Sequence, residues 1–381
     1  LILRDGKPGH TNQSEGVAKE FERLRASFAK DYEFDFNSVD VRFKSVWHQR
    51  LFFVFAFFAQ PFVQGRLSCL NFFLASECAK RLQGCHADII ISAGSSLAPL
   101  NLLLKEENLG KSIVLMKPSF PYRASFFDLL IVPVHDKLSK HFSKTLRTLV
   151  TPNRMDPVLL ETSAEALKRN WSLGSNGKKR LSIFIGGPTR SYRFEPTQFR
   201  KWLSALKSCA EASHFEILIT TSRRTEPEIS GMVKEELGKH PATKLLIIAN
   251  ESNWANVAYG MLALSEVAVV TEDSISMISD AVSAGKKVLV VQLGTGKLPE
   301  KHNRFHQALE SVWTLVAKAN QYVEESAPWA LFKQEKKEKL AVVMYNLLET
   351  LRLLGLMLAP YMPDVAQNMW DQLNVGLKLS D

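Results

Sequence analysis

The chain of 381 residues is 46% hydrophobic and 23% charged, an ordinary soluble globular composition with enough length for two or more hydrophobic cores. Its formal charge of +9 favours anionic partners, but sugar nucleotides, acidic membrane surfaces and nucleic acid all qualify, so charge alone selects none of them. The four cysteines, Cys69, Cys78, Cys85 and Cys209, show neither a metal-ligand spacing nor the density of a disulfide scaffold, and read as reduced thiols of a cytosolic compartment.

The chain opens on Leu1-Ile2-Leu3 without methionine or a signal-peptide pattern, which reads as a trimmed amino end. Residues 1–3 look like the end of a strand. Arg4-Asp5-Gly6-Lys7-Pro8-Gly9-His10-Thr11-Asn12-Gln13-Ser14 follows, a tight loop with close backbone approach, and a helical pattern is expected from near Glu15. His10 suits a general base, because its ordinary pKa lies near neutrality and a sugar hydroxyl attacking an anomeric carbon must lose a proton. Alternatively it braces the helix start, a task that Asn12, Gln13 or Ser14 can also perform.

Residues 46–63 form the most apolar stretch, with a core at 51–59 too short for a bilayer span of about 20 residues. Phe52, Phe53, Phe55, Phe57 and Phe58, flanked by Lys44, Arg50 and Arg66, suit a helix lying in a membrane interface; the alternative is a buried core helix. Short apolar runs at 87–93, 112–116 and 129–134 have the spacing of a doubly wound sheet. Gly94-Ser95-Ser96 adds a polar turn after the first run, and residues 97–104 read as a buried helix.

Residues 155–179 carry no strand pattern and end in Gly174-Ser175-Asn176-Gly177-Lys178-Lys179, which places a linker there. A second strand series follows at 181–185, 217–220, 245–248, 267–270 and 288–291. The first strand ends in Gly186-Gly187-Pro188-Thr189-Arg190-Ser191-Tyr192-Arg193, which suits backbone amides and an arginine fork gripping phosphates. The second ends in Thr220-Thr221-Ser222-Arg223-Arg224. The fourth runs into Thr271-Glu272-Asp273-Ser274 and a helix carrying Ser276. In such a strand–helix–strand unit the helix amino terminus favours phosphate, while Glu272 can accept hydrogen bonds from sugar or ribose hydroxyls. A simpler reading has Asp273 or Ser274 capping the helix and Gly285 ending it, but capping uses one polar residue and leaves the others idle. Three strand ends able to bind one anionic ligand make a stronger signal than any single motif. No Walker loop or complete GxGxxG is present, against kinase and dehydrogenase readings. Beyond His302 the pattern turns helical, and the mixed-sign run 333–339 reads as a solvated helix face.

Residues 1 to about 305 resemble the mitochondrial-fission family known from plants as elongated-mitochondria proteins, through DGKPGHTNQSEG, ISAGSS, GGPTRSYRF, TTSRRT and VTEDSISMISDA. That family in turn is similar to inverting glycosyltransferases of the GT-B fold, notably the lipid-linked N-acetylglucosaminyl transferase of peptidoglycan synthesis. The resemblance implies an acceptor-side glycine loop at Gly6 and Gly9 with its histidine at His10, the expected catalytic base; Asp5, Asn12, Gln13 and Ser95 are the polar groups of the same strand ends expected beside it. The resemblance also implies a donor-phosphate loop at Gly186 and Gly187, to which the strand-end clusters add Thr189, Arg190, Ser222, Arg223, Glu272, Asp273 and Ser274 as expected donor contacts. Glu272 and Asp280 match the spacing of the paired glutamates of many GT-B enzymes, with aspartate in the second place. Plant members are described as fission factors at the outer mitochondrial membrane, so a non-catalytic membrane adaptor on the same scaffold is the rival expectation.

From about Ala308 onward, ALESVWTLVAKANQYVEESAPWALFK and MYNLLETLRLLGLMLAPYMPDVAQNMWDQLNV resemble the anticodon-binding helices of methionyl-tRNA synthetase. Trp329 falls on that family's anticodon-stacking tryptophan. The helix bearing its Asn-x-x-x-Arg contacts, its catalytic domain and its HIGH and KMSKS signatures are missing, so aminoacylation is not expected of this chain. Nor is specific tRNA binding, because stacking alone tolerates any base and the edge-reading helix is gone. The apolar face at Leu347, Leu351, Leu354, Leu358 and Trp370 is instead expected to dock on the body or on a second copy in a homo-oligomer, leaving Trp329 partly covered.

The expected architecture is therefore α/β: two Rossmann-like domains at 1–155 and 180–305 in a GT-B arrangement, a linker at 156–179, and an all-α tail at 306–381. The expected ligand is a nucleotide sugar in the cleft between the domains. No cofactor or metal is called for, and the setting is cytoplasmic or peripheral at an anionic membrane surface.

Overall fold

The computed structural model describes residues 1–28, 33–136, 138, 144–148, 150–174, 177–189, 191–252, 254–359 and 363–374. These fall into two compact units, Leu1–Arg154 and Met155–Asp381. The first unit contains β1 (Ile2–Arg4), α1 (Pro8–Phe28), β2 (Ser38–Asp40), α2 (Val46–Ala59), α3 (Leu70–Phe73), α4 (Ser76–Gln83), β3 (Ile89–Ala93), α5 (Ala98–Asn108), β4 (Lys111–Leu115), β5 (Leu129–Pro133) and β6 (Thr145–Thr148). Its six strands form one sheet in the order β2-β1-β3-β4-β5-β6, every pairing parallel. A parallel sheet needs helices on both faces, which is why its inner strands read as continuous apolar runs.

The α1 helix starts at Pro8, two turns earlier than the Glu15 start expected above. Proline is favoured in the first turn, where its missing N–H costs nothing, so the loop contracts to Asp5-Gly6-Lys7, with Gly6 at φ +76°. His10, Asn12, Gln13 and Ser14 consequently ride on helix, and none of them is available as its cap. Residues 153–154 return to this helix: a side chain on Gly16 would meet the Asn153 carbonyl at 2.1 Å, and Arg154 donates to Glu15 at 2.9 Å.

The second unit contains α6 (Pro157–Trp171), β7 (Arg180–Ile185), β8 (Tyr192–Phe194), α7 (Pro196–Ser213), β9 (Glu216–Thr221), α8 (Pro227–Leu237), β10 (Thr243–Ile247), α9 (Val257–Leu264), β11 (Val267–Thr271), α10 (Ile275–Ser283), β12 (Lys287–Val291) and β13 (Gly294–Gly296). They are followed by α11 (Glu300–Ser326), α12 (Pro328–Lys333), α13 (Lys337–Leu358) and α14 (Pro363–Gln372). Five strands form a parallel sheet in the order β10-β9-β7-β11-β12, and β13 with β8 makes a small antiparallel ribbon. Both Rossmann-like units expected from the sequence are thus present. The stretch read as a linker holds α6, capped by the Asp156 carboxylate on Leu159 N. That helix lies so close to α9 that a side chain on Gly260 would meet Ser163 O at 2.6 Å.

The terminal helices pack largely on one another. Leu354 and Trp370 are buried, and the Trp370 indole donates to Arg352 O at 3.2 Å while lying against Gly355. Trp329 is 56% exposed. By length and composition α13 is apolar enough to cross a membrane; it carries the Glu349–Arg352 ion pair.

Candidate functional site

In an open parallel sheet, ligands bind outside the strand carboxyl ends where the strand order reverses, because neighbouring loops there diverge to opposite faces. The second unit reverses between β7 and β11, and the loops leaving these two strands are the glycine loop and Glu272-Asp273-Ser274. They are fastened together. Thr271 Oγ1 accepts from Gly186 N at 2.8 Å and donates to Asp273 Oδ1 at 2.7 Å. Asp273 Oδ2 accepts from Gly187 N at 2.8 Å and from Arg224 Nη2 at 3.2 Å. Arg224 also donates to the carbonyls of Gly187 and Pro188, which brings the β9 loop to the same point. Burial pushes the Asp273 carboxyl above its ordinary range, opposed by the Gly187 amide, the Thr271 hydroxyl and the Arg224 guanidinium.

This fastening explains both glycines. A side chain at 186 would meet the Asp273 carboxylate at 2.1 Å, and one at 187 the Arg224 backbone at 2.4 Å. It also changes what the glycine loop can offer. The amide of Gly186 is bound to Thr271, that of Gly187 to Asp273 and that of Thr189 to Tyr192 O, so all three point inward. Asp273 is spent on the loop rather than on the helix, and Ser274, at the N-cap position of α10, makes no side-chain cap. The capping explanation for this cluster therefore fails, while Gly285 does end the helix at φ +68°.

Glu272 is buried beside Tyr192. Burial raises its carboxyl above the usual range, Tyr192 and His306 pulling it back, and burial together with Glu272 pushes the Tyr192 hydroxyl up strongly. Two histidines one turn apart on α11 hold this loop from behind: His306 Nε2 donates to Glu272 O at 3.1 Å and His302 Nε2 to Asp273 O at 3.0 Å. Ser222 is a turn former, its Oγ accepting from Arg224 N at 3.1 Å, and Arg223 is exposed. Asp280 sits half-buried on α10. Arg190 lies outside the described residues.

Thr271, Tyr192 and Arg224 stand within the strand-end clusters of the sequence without a role that separates them from their neighbours, and His302 and His306 carry no expectation there. Arg224 stood beside Arg223 with nothing in the pattern to separate them. The His302-x-x-x-His306 spacing, which puts both rings on one helix face, was a signal available to find.

The first unit reverses between β1 and β3. There His10 Nδ1 pairs with Asp5 Oδ2 at 2.9 Å, and Ser96 Oγ donates to the same oxygen at 3.3 Å. The His10 ring lies over Gly94, at φ +86°, where any side chain would meet it at 2.5 Å. Burial alone would raise the Asp5 carboxyl, but His10 and Lys7 hold it well below the carboxylate range. Ser95, between Gly94 and Ser96 in the chain, is half-buried. Gly6, Asn12, Arg4, Asp40, Glu15 and Arg154 line a groove of about 350 Å³ at the same edge. Gln13 is buried, with Oε1 lacking a partner among the described residues, and Gly9 has open space around it. No group of three or more His, Cys, Asp or Glu among the described residues is placed to hold a metal ion.

Strand order, connections and site placement define an α/β protein with two Rossmann-like domains followed by helices. The chain belongs to the mitochondrial fission ELM1 family, whose model matches residues 8–341. The match continues past residue 305, where the sequence motifs stop. The likeness to methionyl-tRNA synthetase is also shown, over a segment: methionine–tRNA ligase of Clostridium perfringens is 49% identical over 69 residues, 18% of this chain and 11% of that protein. That of Caldanaerobacter subterraneus is 42% identical over 73 residues, 19% and 11% respectively. The chain thus spans about a tenth of the length of these relatives. Similar solved structures include UDP-GlcNAc 2-epimerase from Neisseria meningitidis bound to UDP-GlcNAc, with 13% identity and a TM-score of 0.43 over 81% of this chain and 91% of that one. Another is E. coli ADP-heptose lps heptosyltransferase II, with 10% identity and a TM-score of 0.43 over 76% and 83%.

Replacing Asp273 by alanine leaves the buried Gly187 amide without its acceptor, so Asp273→Ala should lower the unfolding free energy by about 1–3 kcal/mol in urea titrations. Asp5, with its folded pKa depressed, contributes stability that is complete above its unfolded pKa of about 3.9 and lost as pH falls towards the folded value. The stability gap between wild type and Asp5→Asn, measured by denaturation from neutral pH downward, should therefore shrink once the pH drops below about 4.

Proposed function

We propose that this chain is a GT-B-like glycosyltransferase-family protein that binds a uridine or related nucleotide diphosphate sugar and transfers the sugar to a membrane-associated acceptor without a required metal. The observation that carries the reading is the arrangement at the second sheet's switch point. Glu272 is buried there next to Tyr192, α10 begins without a side-chain cap, and Arg223 and Ser276 stay exposed. The first-turn amides of α10, with its dipole, suit the diphosphate, with Thr189, Arg223, Ser274 and Ser276 around it. Glu272 takes a sugar or ribose hydroxyl, and Asp280 stands further along the same helix. Gly186, Gly187 and Asp273 set the shape of this edge.

On the first unit, His10 takes the proton of the attacking acceptor hydroxyl. Asp5 orients the ring and stabilises the imidazolium that forms.

One observation favours the second reading, a non-catalytic adaptor on the same scaffold: the amides of Gly186, Gly187 and Thr189 are all engaged internally. Binding without turnover would select it.

Calorimetric titration with uridine diphosphate sugars tests the donor half. Glu272→Ala should weaken binding by about 1.5–3 kcal/mol, the size of a lost hydrogen bond to a charged group; unchanged affinity removes Glu272 from the site. For the acceptor half, His10→Ala should leave donor affinity nearly intact and lower turnover by roughly 10²–10⁴-fold, and full turnover in that variant would rule out the base.

A further inference from the structure

The sequence left α2 divided between core helix and interfacial helix, and the structure makes each face answer separately. At 100° per residue, Phe52 and Ala56 lie on one side and are each 1% exposed. Phe53 and Phe57 turn towards Tyr122, at ring distances of 4.9 and 5.8 Å, and the Tyr122 hydroxyl donates to Phe53 O at 2.7 Å. The opposite side carries Trp47, Leu51, Val54 and Phe58, spaced by four, three and four residues, with exposures of 73, 40, 55 and 69%. Phe62, in the turn after the helix, continues the stripe at 69%. A soluble helix normally turns a polar face to water; this one turns out tryptophan and phenylalanine, the kind of exposed apolar patch that marks an interaction surface.

The charges around the stripe choose the partner. From residue 41 to 76 there is no aspartate or glutamate, while Arg42, Lys44, Arg50 and Arg66 are all exposed. We propose that α2 docks on an anionic lipid bilayer, lying in the plane of the interface with Trp47, Leu51, Val54 and Phe58 among the lipids and these cations against the headgroups. With 14 residues the helix is about 21 Å long, short of the roughly 30 Å hydrocarbon core, so it lies along the surface rather than across it. A second copy is the poorer occupant: a two-fold contact brings the patch against itself, setting these cations against one another with no carboxylate from the segment to offset them.

The proposal does not rest on sugar transfer; vesicle binding without turnover would sustain it while failing that reading. The test uses the full chain with vesicles of phosphatidylcholine alone or mixed equally with phosphatidylglycerol. Wild type should sediment with the anionic vesicles, less with neutral ones, and less as salt is raised. Phe58→Ser, at a side chain that the fold leaves outside, should lower partitioning by about tenfold, the equivalent of burying one phenylalanine less. Brominated lipids should quench wild-type fluorescence more than that of Trp47→Phe, a variant that keeps the apolar face and decides the matter even if the serine variant folds poorly. No sedimentation at low salt, equal partitioning of a folded Phe58→Ser, equal quenching of wild type and Trp47→Phe, or a lipid-free dimer that Phe58→Ser dissolves would each overturn the proposal.

Discussion

The Asp273 carboxylate ties together three loops that leave three strands of one sheet. It accepts from the glycine-loop amide at 187, from Thr271 at the end of its own strand and from Arg224 of the β9 loop. Its side chain is fully covered, and a buried carboxylate is tolerable only with such a set of donors. The two glycines, the orientation of Arg224 and the freedom of the α10 amino terminus from side-chain capping all follow from where this one group went. Had Asp273 capped α10 instead, the space at position 186 would not require glycine, and the helix end would be closed to an anion.

The first unit repeats the device with the opposite electrostatic outcome. Asp5 also closes a strand-end loop onto a helix, at its own sheet's switch point, but its principal partner is a histidine ring. His10 and Lys7 stabilise the ionised form, so this carboxyl is held low, whereas the burial of Asp273 dominates and raises it. One aspartate thereby stays ionised against a histidine ring. The other shapes a loop.

Most of the parallel strands were legible as apolar runs because strands covered on both faces need no alternation. The elements that escaped notice are the ones where that reasoning has no purchase: β2 (Ser38-Val39-Asp40), β6 (Thr145-Leu146-Arg147-Thr148) and the β8–β13 ribbon. These are short, at sheet edges or outside the main sheets, and polar in part. The Gly6-Lys7-Pro8-Gly9 stretch has the composition of a loop, yet α1 begins at Pro8, because proline is at home in a first helical turn. At the candidate sites, residue types were visible and their orientations were not. Nothing in Gly-Gly-Pro-Thr says whether the amides face a ligand or an aspartate 86 residues away. Similarly, the five phenylalanines of α2 announced an apolar helix, yet only packing separates Phe53 and Phe57 from Phe58.

Helix α11 bears on how the carboxyl-terminal helices relate to the rest. The boundary read from sequence, between 305 and 306, falls inside a single helix running from Glu300 to Ser326. Its first two turns belong to the site: Phe305 is fully buried, and His302 and His306 bond the carbonyls of Asp273 and Glu272. The family match, which continues to residue 341, takes in all of α11 and α12. A helix continuous from the Glu272 loop into α11–α14 is a stiff connection, and displacing it would withdraw two donors from the loop that carries the proposed sugar contact. The bundle that resembles a tRNA-binding element is therefore not hung on a flexible tether.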